Sequence, residues 1–128
     1  MMISPREPAR IADAAAEQVR ALNLATLDAD AYGDPAGVRE TALSLRDLAR
    51  WLPQAVHQLQ AGLDALVLSG GVALVDDSGD TVIERQAGIA GAVRAAQSAV
   101  TELEGAMDAV ARLTCGLGPR QREQAGES

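Results

Sequence analysis

The sequence predicts an all-α protein: an antiparallel bundle of three long helices, the second kinked at Pro53, or of four helices if Pro53 is a turn. Three observations predict it. Apolar residues recur three and four positions apart over long stretches, which stacks them on one face of a helix. Each stretch opens on a capping residue followed by Pro or Glu. Glycine-bearing breaks separate the stretches. At 128 residues the chain can hold one core and not two ordinary ones, so residues 1–118 form one bundle domain and 119–128 a disordered polar tail.

The first helix starts at Ser4-Pro5-Arg6-Glu7, a Ser-x-x-Glu capping box, or just beyond Pro8. Ala12, Ala15, Val19, Leu22 and Thr26 form its stripe, and Gly33 is the expected stop. Asp34-Pro35 caps the second helix after a tight turn. Val38, Ala42, Leu45, Ala49, Leu52, Val56, Leu59, Leu63 and Leu66 then keep a four-three alternation that passes straight through Pro53. A true turn would give that phase no reason to survive, so one kinked helix to about Val67 is preferred over two shorter ones.

Ser69-Gly70-Gly71 breaks the pattern, and Asp76-Asp77-Ser78-Gly79-Asp80 has turn chemistry. The stretch from Val72 to Ile83 could pair as a short hairpin, but Thr81-Val82-Ile83-Glu84 is another capping box and favours a helix start. Ile89, Val93, Ala96, Val100, Leu103, Met107 and Val110 complete the heptad pattern of the last helix, flanked by Ala92, Ala99 and Ala106. The second and last helices have matching lengths and pair antiparallel, with the first laid alongside.

Hydrophobic residues make up 48% of the chain, but aromatics only 2%, and much of the apolar total is alanine. Burying alanine gives little transfer energy, so a second copy of the chain is the readiest source of further buried surface, and a homo-oligomer is expected. A net charge of -7 argues against direct binding to nucleic acid or to an anionic membrane, and so towards protein partners. No apolar run approaches the length of a bilayer span, no signal-peptide pattern opens the chain, and the single Cys115 makes no internal disulfide, so the cytoplasm is the expected compartment.

Nothing in the sequence builds a catalytic centre, and no cofactor or metal is expected. His57 is the only histidine and falls off the apolar stripe, which makes it a solvated surface residue. Cys115 reads as a small apolar filler in the last helical turn. Asp76, Asp77 and Asp80 fail the calcium-loop pattern, because Thr81 stands where Gly is needed and Ala87 where a chelating Glu belongs. Gly70-Gly71 lacks the Lys-Ser/Thr of a phosphate loop.

Trp51 lies outside the heptad core, where it either packs on the first helix, the preferred reading, or anchors a partner. Leu43, Leu48, Leu68, Val72, Leu74 and Val75 likewise have no place in a single stripe, and with Trp51 they form the candidate contact surface. The functional expectation is a non-enzymatic interaction or oligomerisation module: an adaptor, scaffold or accessory regulator. The alternative is an acidic inhibitor or nucleic-acid mimic that binds a DNA-handling protein.

Leu52-Pro53-Gln54-Ala55-Val56-His57-Gln58-Leu59, then Val75 to Asp80 and the alanine-rich last helix, resemble small uncharacterised proteins of high-GC actinobacteria. The resemblance covers about the second half of the chain, implies helical structure and carries no activity. Secreted hairpins of the WXG type are set aside, since Trp51 is followed by Leu52-Pro53 and not by the Trp-x-Gly turn.

Overall fold

The computed structural model describes residues 6–120 and contains three helices: α1 (Glu7–Ala25), α2 (Pro35–Leu68) and α3 (Val82–Thr114). The protein is an all-α helical bundle, without strands among the described residues. Of the predicted tail, only residues 119 and 120 fall inside that range.

Helix α1 begins at Glu7 with Arg6 in the N-cap position, and the expected cap Ser4 lies outside the described residues. It ends at Ala25, well before Gly33. The Thr26 hydroxyl donates to the Leu22 carbonyl at 2.8 Å and, with the Thr26 N–H, closes the last turn. Residues 26–34 then form an irregular linker instead of the expected tight turn. Gly33, at φ 74°, gives this linker its left-handed residue just before Asp34. Asp34 caps α2 by accepting from the Gly37 N–H at 3.0 Å.

Helix α2 passes through Pro53 unbroken, which selects three helices over four. Pro53 has no N–H to give to the Ala49 carbonyl. Its own carbonyl accepts from Gln97 Nε2 of α3 at 3.2 Å, so the opposite helix reads the backbone at the proline turn. At 34 and 33 residues, α2 and α3 are each about 50 Å long. They run antiparallel, as the cross-helix bonds record: Arg46 to Asp108, Arg50 to Glu104, Pro53 to Gln97 and Asp64 to Gln86 rise in number on one helix as they fall on the other.

The seam between them lies one position round from the expected stripe. On α2 the seam runs through Ala42, Arg46, Ala49, Pro53, Val56, Gln60, Leu63 and Val67, again in four-three alternation, with Leu43, Leu45, Leu52 and Asp64 half-buried at its edges. On α3 they are Val93, Gln97, Val100, Glu104, Met107, Ala111 and Thr114. The alanine and valine positions Ala42, Ala49, Val56, Val93 and Val100 are shared with the expected stripe. So are Leu63 and Met107, and Leu45 and Leu52 are half-buried at the edge of the seam, whereas Leu59 is 72% exposed and Leu66 55%. Ala49, with no exposed surface, marks the closest part of the seam. Small residues there bring the backbones near enough for Arg46 and Arg50 to span to α3, which bulkier Leu knobs would prevent.

Helix α1 is not a third layer of equal standing. None of its Cα atoms comes within 8 Å of α2 or α3, and none of its residues is buried. It flanks α2 across an open cleft of about 370 Å³ lined by Gln18, Val19, Leu22, Thr41, Leu45 and Leu48.

Candidate protein interface

The hairpin has two unlike faces. Arg46 and Arg50 of α2 meet Asp108 and Glu104 of α3 at 3.2 and 3.0 Å, and Gln86 donates to Asp64 at 2.8 Å. On each helix these residues lie on or just to one side of the seam, and because they reach one another they mark a shared polar face. About 100° round each helix the other way lies an apolar flank, and the two flanks therefore share the opposite face. On α2 it carries Leu52, Leu59 and Leu66, with Ala55 and Gly62 between them. On α3 it carries Ala92, Ala96, Ala99, Leu103 and Ala106. Both flanks keep four-three spacing, and no charged residue interrupts either. Helix α1 stands over one end of this face, at Leu45 and Leu48; beyond it Leu52 and Ala96 are half-buried, and Leu59, Leu66 and Leu103 are exposed.

The loop between α2 and α3 closes the far end of the hairpin. Val72 and Leu74 fold back over Leu63, Val67, Val82 and Ile89 and enclose a half-open apolar pocket of about 210 Å³. Arg85 forms its polar rim and ties the loop down: Nη2 donates to Asp76, Ser78 and Asp80, each at 3.0 Å. Thr81 and Glu84 make the predicted capping box, at 3.0 and 2.8 Å. These contacts set the local titration. Hydrogen bonds from Ser78, then from Arg85, hold the Asp76 carboxyl below its ordinary range, and bonds from Thr81 do the same for Glu84. Arg85 is pushed up by Asp80 and Asp76, and Arg46 by Asp47 and Asp108. Asp76 and Asp80 thus serve an arginine clamp, and no cluster with metal-binding spacing occurs among the described residues.

The seven candidate residues do not form one patch. Val72 and Leu74 line the loop pocket, with Val75 at its mouth, 97% exposed, and Leu68 beside it at the end of α2, 90% exposed. Leu48 lies in the cleft under α1. Leu43 is half-buried on the polar side of the seam. Trp51 stands alone and is 71% exposed, which corrects the expectation that it packs on the first helix. Helix α1 lies over Leu45 and Leu48, and Trp51 does not line the cleft between them.

His57 is exposed. So is Cys115, at the C-cap of α3, where it fills no part of the core as expected. The antiparallel register sets the two about 30 Å apart along the hairpin, too far for a nucleophile and its base.

What the sequence reading missed is the leucine flank, whose members it assigned to the core. The signal was present: Arg46, Pro53, Gln60 and Val67 continue a second four-three series through the same alanines.

No protein-family model, curated protein or solved structure matches the chain. The fold and its surfaces define the class by themselves: an all-α bundle built on a two-faced hairpin, in which no described helix is long and apolar enough to cross a membrane.

Proposed function

We propose that the protein is a non-enzymatic protein-interaction module, an adaptor, scaffold or accessory regulator that works in the cytoplasm. One observation carries the reading: large apolar side chains stand in the open, Trp51, Leu68 and Val75 among those outside the apolar flank. Tryptophan and leucine anchors of this kind supply most of the energy of protein association once a partner desolvates them. The separation of His57 from Cys115 and the engagement of the loop carboxylates by Arg85 leave little from which to build a reaction centre. The acidic-mimic alternative has weaker support. Mimicry needs a face of uncompensated carboxylates, whereas Asp47, Glu104 and Asp108 are answered by Arg46, Arg50 and Arg112.

The test is affinity capture of the tagged full chain from its source cells, in parallel with Trp51→Ala and with a Leu68→Ser, Val75→Ser double variant. The expected result is a distinct second protein held by the parent chain and lost from at least one variant that keeps its helical circular dichroism. Capture of no second protein, or equal capture by all three, overturns the reading.

A further inference from the structure

We infer that the apolar face of the hairpin is the seat of a second copy of this chain, with the leucine flank of α2 in each protomer lying on the alanine flank of α3 in the other. The inference deepens the interaction-module reading by naming one partner and its place, and uses a surface distinct from Trp51 and the loop.

The first argument is area. The whole chain presents 9837 Å² of accessible surface. A compact domain with the mass of the described residues exposes about 5,900 Å², and the undescribed termini can add at most about 2,100 Å² even with the full surface of unfolded chain. The excess is about 1,800 Å². A standard interface takes about 800 Å² from each partner and an obligate homodimer about 1,000 Å² or more, so the chain as a whole, whose α1 buries nothing, exposes enough surplus to supply either.

The second argument is shape. Four-three spacing sustained along both flanks is the pattern of helices that pack at a shallow angle, and inside the protomer Leu59, Leu66, Ala92, Ala99, Leu103 and Ala106 of this pattern stay exposed. One flank is large, with Leu52, Leu59 and Leu66, and the other is mostly small, with Ala92, Ala96, Ala99 and Ala106. A two-fold axis parallel to the helices sets large against small twice, as an isologous contact requires. Interpolation between the Pro53–Gln97 and Asp64–Gln86 rungs puts Leu59 level with Gly91, one residue from Ala92, and between the Arg50–Glu104 and Pro53–Gln97 rungs Leu52 level with Ala99. A dyad parallel to the helices keeps these levels, so each leucine meets the alanine flank of the other copy within one residue of an alanine. A perpendicular axis would instead stack leucine on leucine and alanine on alanine, with helix separations that one rigid pair of hairpins cannot satisfy together.

The third argument is charge. Two chains of net charge -7 repel, and this face brings no carboxylate against another.

Sedimentation equilibrium of the full chain tests the inference, with twice the chain mass expected. Leu59→Arg and Ala99→Arg should each raise the dissociation constant roughly 100-fold or more, by burying a cation without a partner. Thr101→Arg, on the polar face, should leave it unchanged. A single-chain mass at high micromolar concentration overturns the inference, as does equal weakening by all three variants.

If an arginine variant loses helicity, a second measurement decides. Leu59→Cys and Ala92→Cys chains, each also carrying Cys115→Ser, are mixed and treated with a short bifunctional maleimide. Cross-linking of unlike chains in preference to like chains supports the arrangement, and preference for like chains overturns it. A monomer that still captures another protein through Trp51 or the loop sinks only this inference, whereas a dimer that captures nothing sinks only the adaptor reading.

Discussion

Helix α1 and the α2–α3 hairpin are both amphipathic and both carry a proline in their opening turn, yet only the hairpin buries any residue. The difference lies in what the stripe of each is made of and how long it runs. Over about 50 Å, α2 and α3 repeat small residues at the same level, so their backbones close and the polar side chains beside the seam can bond across it. Helix α1 spans about 28 Å, is joined by a nine-residue linker and sets only Gln18, Val19 and Leu22 across an open cleft from Leu45 and Leu48. Spacing makes a helix amphipathic, but the size of the residues at that spacing decides how near a neighbour can come.

Ala49 should break this contrast most sharply. It is fully covered at the seam, so Ala49→Leu must push α3 away and strain Arg46 and Arg50 off their partners. A loss of about 3 kcal/mol is expected in urea unfolding at fixed protein concentration. Ala16→Leu in α1 makes the same chemical change on exposed surface and should stay within about 0.5 kcal/mol. Equal losses at the two sites would show that α1 carries as much of the fold as the hairpin.

Pro53 should act in the opposite direction. A proline inside a helix costs about 3 kcal/mol, offset by roughly 1 kcal/mol because it also restricts the unfolded chain. Pro53→Ala restores the N–H to the Ala49 carbonyl and leaves the Pro53 carbonyl in place for Gln97. A gain of about 2 kcal/mol is expected in the same assay, and a loss would mean that the seam depends on the shape the proline imposes.

Thr81→Ala removes half of the capping box at the start of α3 and should lower stability by about 1 kcal/mol. Amide exchange locates the effect: faster exchange confined to the first turn of α3 is expected, and acceleration spreading to α1 would contradict the independence of the two regions.

Much of this architecture is legible in the sequence. The Asp34 and Thr81 caps, the continuity of α2 through Pro53 and the antiparallel pairing follow from cap chemistry and unbroken phase, which are local properties. The seam was read one position off for a physical reason. Ala42, Ala49, Val56 and Leu63 belong equally to a stripe completed by Leu45, Leu52, Leu59 and Leu66 and to one completed by Arg46, Pro53, Gln60 and Val67. Hydrophobicity favours the first. Close approach favours the second, because α3 offers Gln97, Glu104 and Asp108 to bond at its edge, and this depends on a helix thirty or more residues away. Trp51 and Cys115 were misjudged for the same reason: an apolar residue at a helix surface has a neighbour only if the topology supplies one.

The smallest expected effect is local and concerns acid. Asp76 and Glu84 have folded-state values below their ordinary 3.8 and 4.5, because Ser78 and Arg85 hold the first as an anion and Thr81 the second. A lowered value means that the anion is favoured in the fold, so its contribution is complete above the ordinary value and fades as pH falls through the lowered one. Between pH 7 and 5 the loop should therefore not respond. Further acidification should release the Ser78 N–H from Asp76, with a midpoint below 3.8 in the Ser78 amide shift. Asp76→Asn should abolish that transition and leave the one at the Thr81 amide, which reports Glu84, in place. A Ser78 midpoint at or above 3.8 would mean that the Arg85 clamp is not closed in solution and that the loop, like α1, is held by little more than its own chain.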